Sequence, residues 1–120
     1  MSNNSFPALV DKIVVGMEDR KAEKIAVFNL SEIDNRICDY FVICEGTSNT
    51  QVKAIADRVE EIIREDLQEK PWHVEGKESA EWVLLDYVDT VAHVFQKETR
   101  DFYDLEGLWG DAQITEIDSE

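Results

Sequence analysis

Residues 46–67 read GTSNTQVKAIADRVEEIIREDL. Gly46 ends an apolar run, and Ser48 and Gln51 stand at capping-box spacing. The Ser48 hydroxyl can accept from the Gln51 N–H, and the Gln51 amide can reach back to the cap. Val52, Ile55, Ala56, Val59, Ile62, Ile63 and Leu67 then share one stripe, with Lys53, Asp57, Glu60, Glu61 and Arg64 opposite. The pattern predicts an amphipathic helix of about five turns. A stripe of this kind most commonly covers a β-sheet, so the flanking sequence should supply strands.

It does. Upstream, CDYFVICEG (38–46) and KIAVFNL (24–30) are β-branched and apolar, separated by the turn-forming SEIDNRI (31–37). Before them, Ser5, Phe6 and Pro7 suit a helix start, and Leu9, Val10, Ile13, Val14 and Met17 recur at helical spacing. Downstream lie three shorter strand candidates, WHVEG (72–76), EWVLLDY (81–87) and TVAHVFQ (90–96). Alternation puts Trp82, Leu84 and Asp86 on one face, with Val83, Leu85 and Tyr87 on the other. Val91, His93 and Phe95 likewise oppose Ala92 and Val94. So few residues separate the last two segments that they should pair as an antiparallel hairpin. A final helix is expected from about Glu98 to Trp109, with Phe102, Leu105 and Trp109 on one side and Gly110 as its stop. Gly107 within it should cost about 1 kcal/mol relative to alanine. The order α-β-β-α-β-β-β-α implies a single α/β domain over residues 1–110, with helices packed on a mixed five-stranded sheet. The acidic tail DAQITEIDSE (111–120) is short of core residues and should be disordered.

The chain has 120 residues, 27 acidic against 12 basic, for a net charge of −15. Phosphate backbones are held by lysine and arginine, so direct binding of DNA or RNA is disfavoured. A basic protein partner fits the negative field better, although acidity can also serve solubility alone. No apolar run has membrane-spanning length, and MSNNSFPALV lacks the pattern of a secretory signal, so a cytoplasmic protein is expected. Cys38 and Cys44 make no disulfide framework, and His73 and His93 lack zinc-ligand spacing.

Three features could carry chemistry. The Gly46–Thr47–Ser48 turn between strand and helix could hold an anion on backbone N–H groups, as nucleotidyltransferase sites do. No paired carboxylates follow to hold a divalent metal there, and the helix cap accounts for Ser48. Asp86, Asp89 and His93 could form a general-base cluster, but His93 is flanked by Val91 and Phe95 and no serine or cysteine nucleophile stands near it. Asp86, Tyr87 and Asp89 at a hairpin tip suit a protein-binding edge better. Trp82 shares a strand face with Asp86, a pairing of aromatic and charge typical of interface anchors, yet it fits a core equally well.

The run VEGKESAEWVLLDYVDTVAHVFQKETRDFYDLEGLW (74–109) resembles the ribosomal silencing factor, or Iojap-like, family. The residues that carry the likeness are Glu75, Gly76, Trp82, Asp86, Asp89, His93 to Phe95, Arg100, Tyr103, Leu105, Glu106, Leu108 and Trp109. CDYFVICEGTSNTQVKAIADRV (38–59) is similar to a second family block, and together the likeness spans about residues 7–110. Val88 departs from it, standing where the family carries glycine in the turn. The resemblance implies a nucleotidyltransferase-like fold without the catalytic carboxylate pair, hence no enzyme and no cofactor. It further implies binding to large-subunit ribosomal protein fourteen, steric blocking of subunit joining and repression of translation. Organellar relatives act in ribosome assembly, and free members form homodimers. On this basis Glu75, Trp82, Asp86, Tyr87 and Asp89 are expected to form the docking patch, supported by His93. A nucleotide-binding enzyme remains the alternative of another class.

Overall fold

The computed structural model describes residues 6–117, so the expected cap at Ser5 lies outside the described residues. Helix α1 runs Ala8–Asp19 with Pro7 as its N-cap residue, which suits a position whose N–H needs no partner. Then follow β1 (Glu23–Asn29), β2 (Tyr40–Gly46), α2 (Asn49–Leu67), β3 (His73–Glu75), β4 (Trp82–Asp86) and β5 (Thr90–Gln96). The chain ends with α3 (Lys97–Tyr103), α4 (Leu105–Leu108) and β6 (Gln113–Glu116). The sheet order is β3-β4-β5-β2-β1-β6. Strands β2 and β5 pair in parallel and every other neighbour pair is antiparallel, so the mixed sheet is as expected.

The sheet has six strands where the sequence suggests five, and part of the tail expected to be disordered supplies the sixth. Gln113, Ile114, Thr115 and Glu116 pair with Asn29, Phe28, Val27 and Ala26, and the Ile117 N–H donates to the Ile25 carbonyl at 2.8 Å. An edge strand needs backbone pairing more than core side chains, and β1 would otherwise expose a row of unpaired groups. The last helix also differs. Asp104 adopts φ 48° and ends α3, then its side chain accepts from the Gly107 N–H and opens α4. The expected common face is broken at that point: Leu105 is buried and Trp109 half-buried, but Phe102 is 80% exposed. A Cβ on Gly107 would meet the Asp104 carboxylate at 2.4 Å, so glycine there makes room for the cap.

Two apolar layers sandwich the sheet. Val10, Ile13 and Met17 of α1 and Val52, Ile55, Val59 and Ile63 of α2 pack on Val27, Val42, Cys44, Val83, Leu85, Ala92 and Val94. The two helices approach so closely that a Cβ on Gly16 would lie 2.8 Å from the Val59 Cα. On the opposite face Ala26, Phe28, Phe41, Ile43, Val91 and Phe95 meet Leu30, Cys38 and Leu105, with Trp109 against them. Burial of these side chains, worth about 1.5–3 kcal/mol each, is what holds the layers.

The α2 cap is half as expected. Ser48 accepts from Gln51 N–H at 3.1 Å, but the Gln51 amide does not return to the Ser48 backbone. It donates instead to the Arg20 and Lys21 carbonyls at 3.2 and 3.1 Å, while its oxygen accepts from Thr47 N–H at 2.7 Å. Gln51 thereby ties the end of α1 to the start of α2.

Candidate functional site

The α1/α2 layer covers one face of the sheet, while α3 and α4 pack on the other over β2 and β5. That leaves the outer face of β3 and β4. Register pairs His73 with Asp86, Glu75 with Leu84, and Trp82 with Phe95. Since side chains alternate along a strand, His73, Glu75, Trp82, Leu84 and Asp86 occupy this face together. Glu75 is exposed and its carboxylate meets the His73 ring, whereas Trp82, Leu84 and Asp86 are half-buried. Among the expected docking residues, Glu75, Trp82 and Asp86 are therefore brought together.

Trp82 is held from three sides. Its ring stacks on Phe95 at 4.8 Å between centroids and meets Tyr103 of α3 at 4.8 Å. Its indole N–H donates to His93 Nδ1 at 3.0 Å. That bond fixes the His93 tautomer: Nδ1 accepts, so Nε2 carries the proton. His93 is 4% exposed and edge-on to Phe41, and burial lowers its imidazole from the ordinary 6.5 to about 3. It is neutral at pH 7, with its one lone pair committed to Trp82 and its Nε2 without a partner among the described residues. A ring so placed orients Trp82, and its basic lone pair is already engaged by the indole N–H.

Asp86 and Asp89 bracket the β4–β5 turn in different ways. Asp86 Oδ1 accepts from the Val88 N–H at 2.8 Å. The Asp89 side chain is exposed, while its carbonyl accepts from Asp39 and Tyr40 N–H at 2.8 and 3.2 Å. Between them Val88 adopts φ 78°, and the Asp89 N–H donates to the Tyr87 carbonyl at 3.0 Å. This is a γ-turn centred on a β-branched residue, a conformation costing on the order of 1–3 kcal/mol.

Tyr87 is not part of the open face. Alternation places it with Val83 and Leu85 beneath α2, where it is 6% exposed and its hydroxyl has no partner among the described residues. Burial, with Glu60 and Glu69 adding, pushes its phenol above the ordinary value. Several exposed apolar side chains escaped sequence reasoning: Ile37, Trp72 and Val88 at one end of the face, Tyr103 against Trp82 at the other, and Leu108 on α4. Exposure of a loop or helix-end side chain is a tertiary property, and no periodicity announces it.

The strand-to-helix turn is filled by the chain's own groups. Gln51 Oε1 takes the Thr47 N–H, and Ser48 takes the Gln51 N–H. Among the described residues no three His, Cys, Asp or Glu side chains converge as a metal site, and no helix is long and apolar enough to cross a membrane.

Comparison with known proteins gives one consistent result. A family profile described as ribosomal silencing factor during starvation matches residues 3–120. A ribosomal silencing factor of Halalkalibacterium halodurans is 42% identical over 98% of this chain and 97% of its own length. That of Bacillus subtilis is 42% identical over 84% of each chain. A mouse protein named for mitochondrial assembly of the ribosomal large subunit is 30% identical over 92% of this chain and 51% of its own. A crystal structure from Chromobacterium violaceum superposes with a TM-score of 0.80 at 35% identity, covering 85% of this chain and 83% of that one.

Proposed function

Since the chain belongs to the ribosomal silencing factor family, we propose that it docks on the large ribosomal subunit in the cytoplasm and sterically blocks joining of the small subunit. The partner in this reading is the basic surface of large-subunit ribosomal protein fourteen. The observation that carries it is the open outer face of β3 and β4. There a half-buried tryptophan, oriented by His93, shares the face with Glu75 and Asp86, and the exposed Asp89 stands in the turn beyond, on a chain of net charge −15. An aromatic anchor within an acidic rim complements a basic protein surface, with the charges steering encounter and the ring supplying the buried contact. Translation falls because the bound domain occupies space, so neither turnover nor a cofactor enters.

The test is to pellet the protein with purified large subunits and then add small subunits. Docking followed by failure of the subunits to join is the expected result; absence of co-sedimentation overturns the reading. A second reading, an assembly factor for precursor subunits, is favoured by the mouse relative's name. It predicts pelleting with precursors while mature subunits still join. The homodimer implied for the free protein is checked by sedimentation equilibrium.

A further inference from the structure

One end of the open face carries a feature that large-subunit docking by itself does not explain. Ile37 from the β1–β2 loop, Trp72 before β3 and Val88 in the β4–β5 turn are 70%, 79% and 59% exposed. With Asp86 and Val91 they line a hollow of about 510 Å³. Three large apolar side chains from three separate segments thus converge on one spot without covering one another. Exposed apolar residues scattered singly need no explanation, but a converging set marks an interaction site.

Val88 adds an independent observation. It holds φ 78°, where a β-branched residue is strained, yet its side chain contributes little to the protein's own core. The packing of this outward-facing side chain within the protein does not offset that strain. The surroundings state the chemistry of what comes. Asp86 lines the hollow, and Asp39 and Asp89 line the depression that shares its Ile37 and Val88 walls. The cation among these residues is Arg36, which is already paired with Asp39 at 2.9 Å. Burial raises the neighbouring Cys38 thiol to about 11, and Asp86 and Asp39 add to the rise, so both carboxylates bear on this corner.

We infer that the hollow receives an apolar side chain from a lysine- or arginine-flanked segment of a large-subunit protein. The apolar walls take the side chain, and the carboxylates face its basic neighbours. This rests on large-subunit docking, adding to it a second anchor at the far end of the face from Trp82. Val88 is in this view a specificity-determining residue, since a glycine in the same turn would leave the wall open.

Two variants test it in the pelleting assay with the full chain and purified large subunits. Ile37→Ser combined with Trp72→Ser removes exposed side chains only, so Tm should stay near wild type while retention falls about tenfold. Val88→Gly should raise Tm by relieving the positive φ and still weaken retention, a combination that a purely structural role does not produce. If the wild type pellets and either variant pellets equally well, the hollow is not used and the inference falls while docking stands. If the wild type itself fails to pellet, docking falls and takes the inference with it. A photo-crosslinking residue in place of Ile37 identifies the occupant. Capture of an apolar residue flanked by lysine or arginine in a ribosomal protein supports the inference; capture of ribosomal RNA or of a second copy of this chain overturns it.

Discussion

At the residue scale, His93 shows how a polar group can be held inside an apolar wall for what it does to its neighbour. It lies between Phe41, Trp82 and Phe95, and its Nδ1 lone pair is the fixed point to which the Trp82 indole N–H is tied. The arrangement carries a pH dependence of definite sign. Burial holds the folded-state imidazole near 3, against about 6.5 when unfolded, so between those values the unfolded chain binds the extra proton. The contribution is complete above about pH 6.5 and drains away as pH falls toward 3. Between pH 7 and pH 5 the wild type should therefore lose on the order of 2 kcal/mol more stability than His93→Gln. Urea denaturation at the two pH values measures the difference. Parallel losses would show that His93 titrates as an ordinary imidazole. Alternation alone predicts the apolar surroundings of this histidine. Its bond to Trp82 is not predictable that way, because it joins residues 11 apart on two strands and depends on ring orientation.

At the element scale, the helix α3 that presents Tyr103 to Trp82 is anchored by one buried arginine. Arg100 donates to the Lys24 carbonyl at 2.7 Å, to Glu45 at 3.3 Å and to Glu106 at 2.6 Å. The Lys24 carbonyl is available because the β1–β2 register shifts there and Lys24 takes φ 51°. Arg100 and Glu45 side chains are 9% and 4% exposed, so the pair is desolvated and removing one partner strands the other. Arg100→Met should cost about 3–5 kcal/mol in chemical denaturation, and adding Glu45→Gln should recover a substantial part. Equal losses in the single and double variants would place the cost in packing instead of the uncompensated carboxylate. The same region marks where sequence reasoning reaches its limit. The α2 stripe and the β4 alternation were readable because each rests on a single period with a more open side and a buried side, whereas β5 is buried on both faces and was read from its β-branched, apolar run. Phe102, Leu105 and Trp109 also have helical spacing, yet Asp104 breaks the period with one left-handed residue. An aspartate three residues before Gly107 was the available sign of a new cap. Strand β6 left weaker traces still, since backbone pairing at an edge asks almost nothing of side-chain order.

At the scale of the whole molecule, the unequal covering of the two sheet faces and the distribution of charge act together. Two long helices seal one face, while the outer face of β3 and β4 keeps Trp82 and Leu84 half-buried among carboxylates. Net charge −15 on a body of 13.1 Å radius of gyration gives a strong negative field at low salt. Such a field acts on encounter, and it is screened over about 10 Å at 0.1 M salt. The buried aromatic contact is short-ranged and acts on residence. These two parts of docking should therefore separate kinetically on immobilised large subunits. Raising salt from about 50 to about 500 mM should slow association roughly tenfold and change dissociation much less. Asp86→Lys combined with Asp89→Lys should slow association at low salt and flatten its salt dependence. Trp82→Ala should leave association nearly intact and speed dissociation, because it removes the ring that His93 and Phe95 hold in place. If association proves indifferent to salt and to the charge reversal, the acidity serves solubility alone and the partner surface is not recognised through its charge.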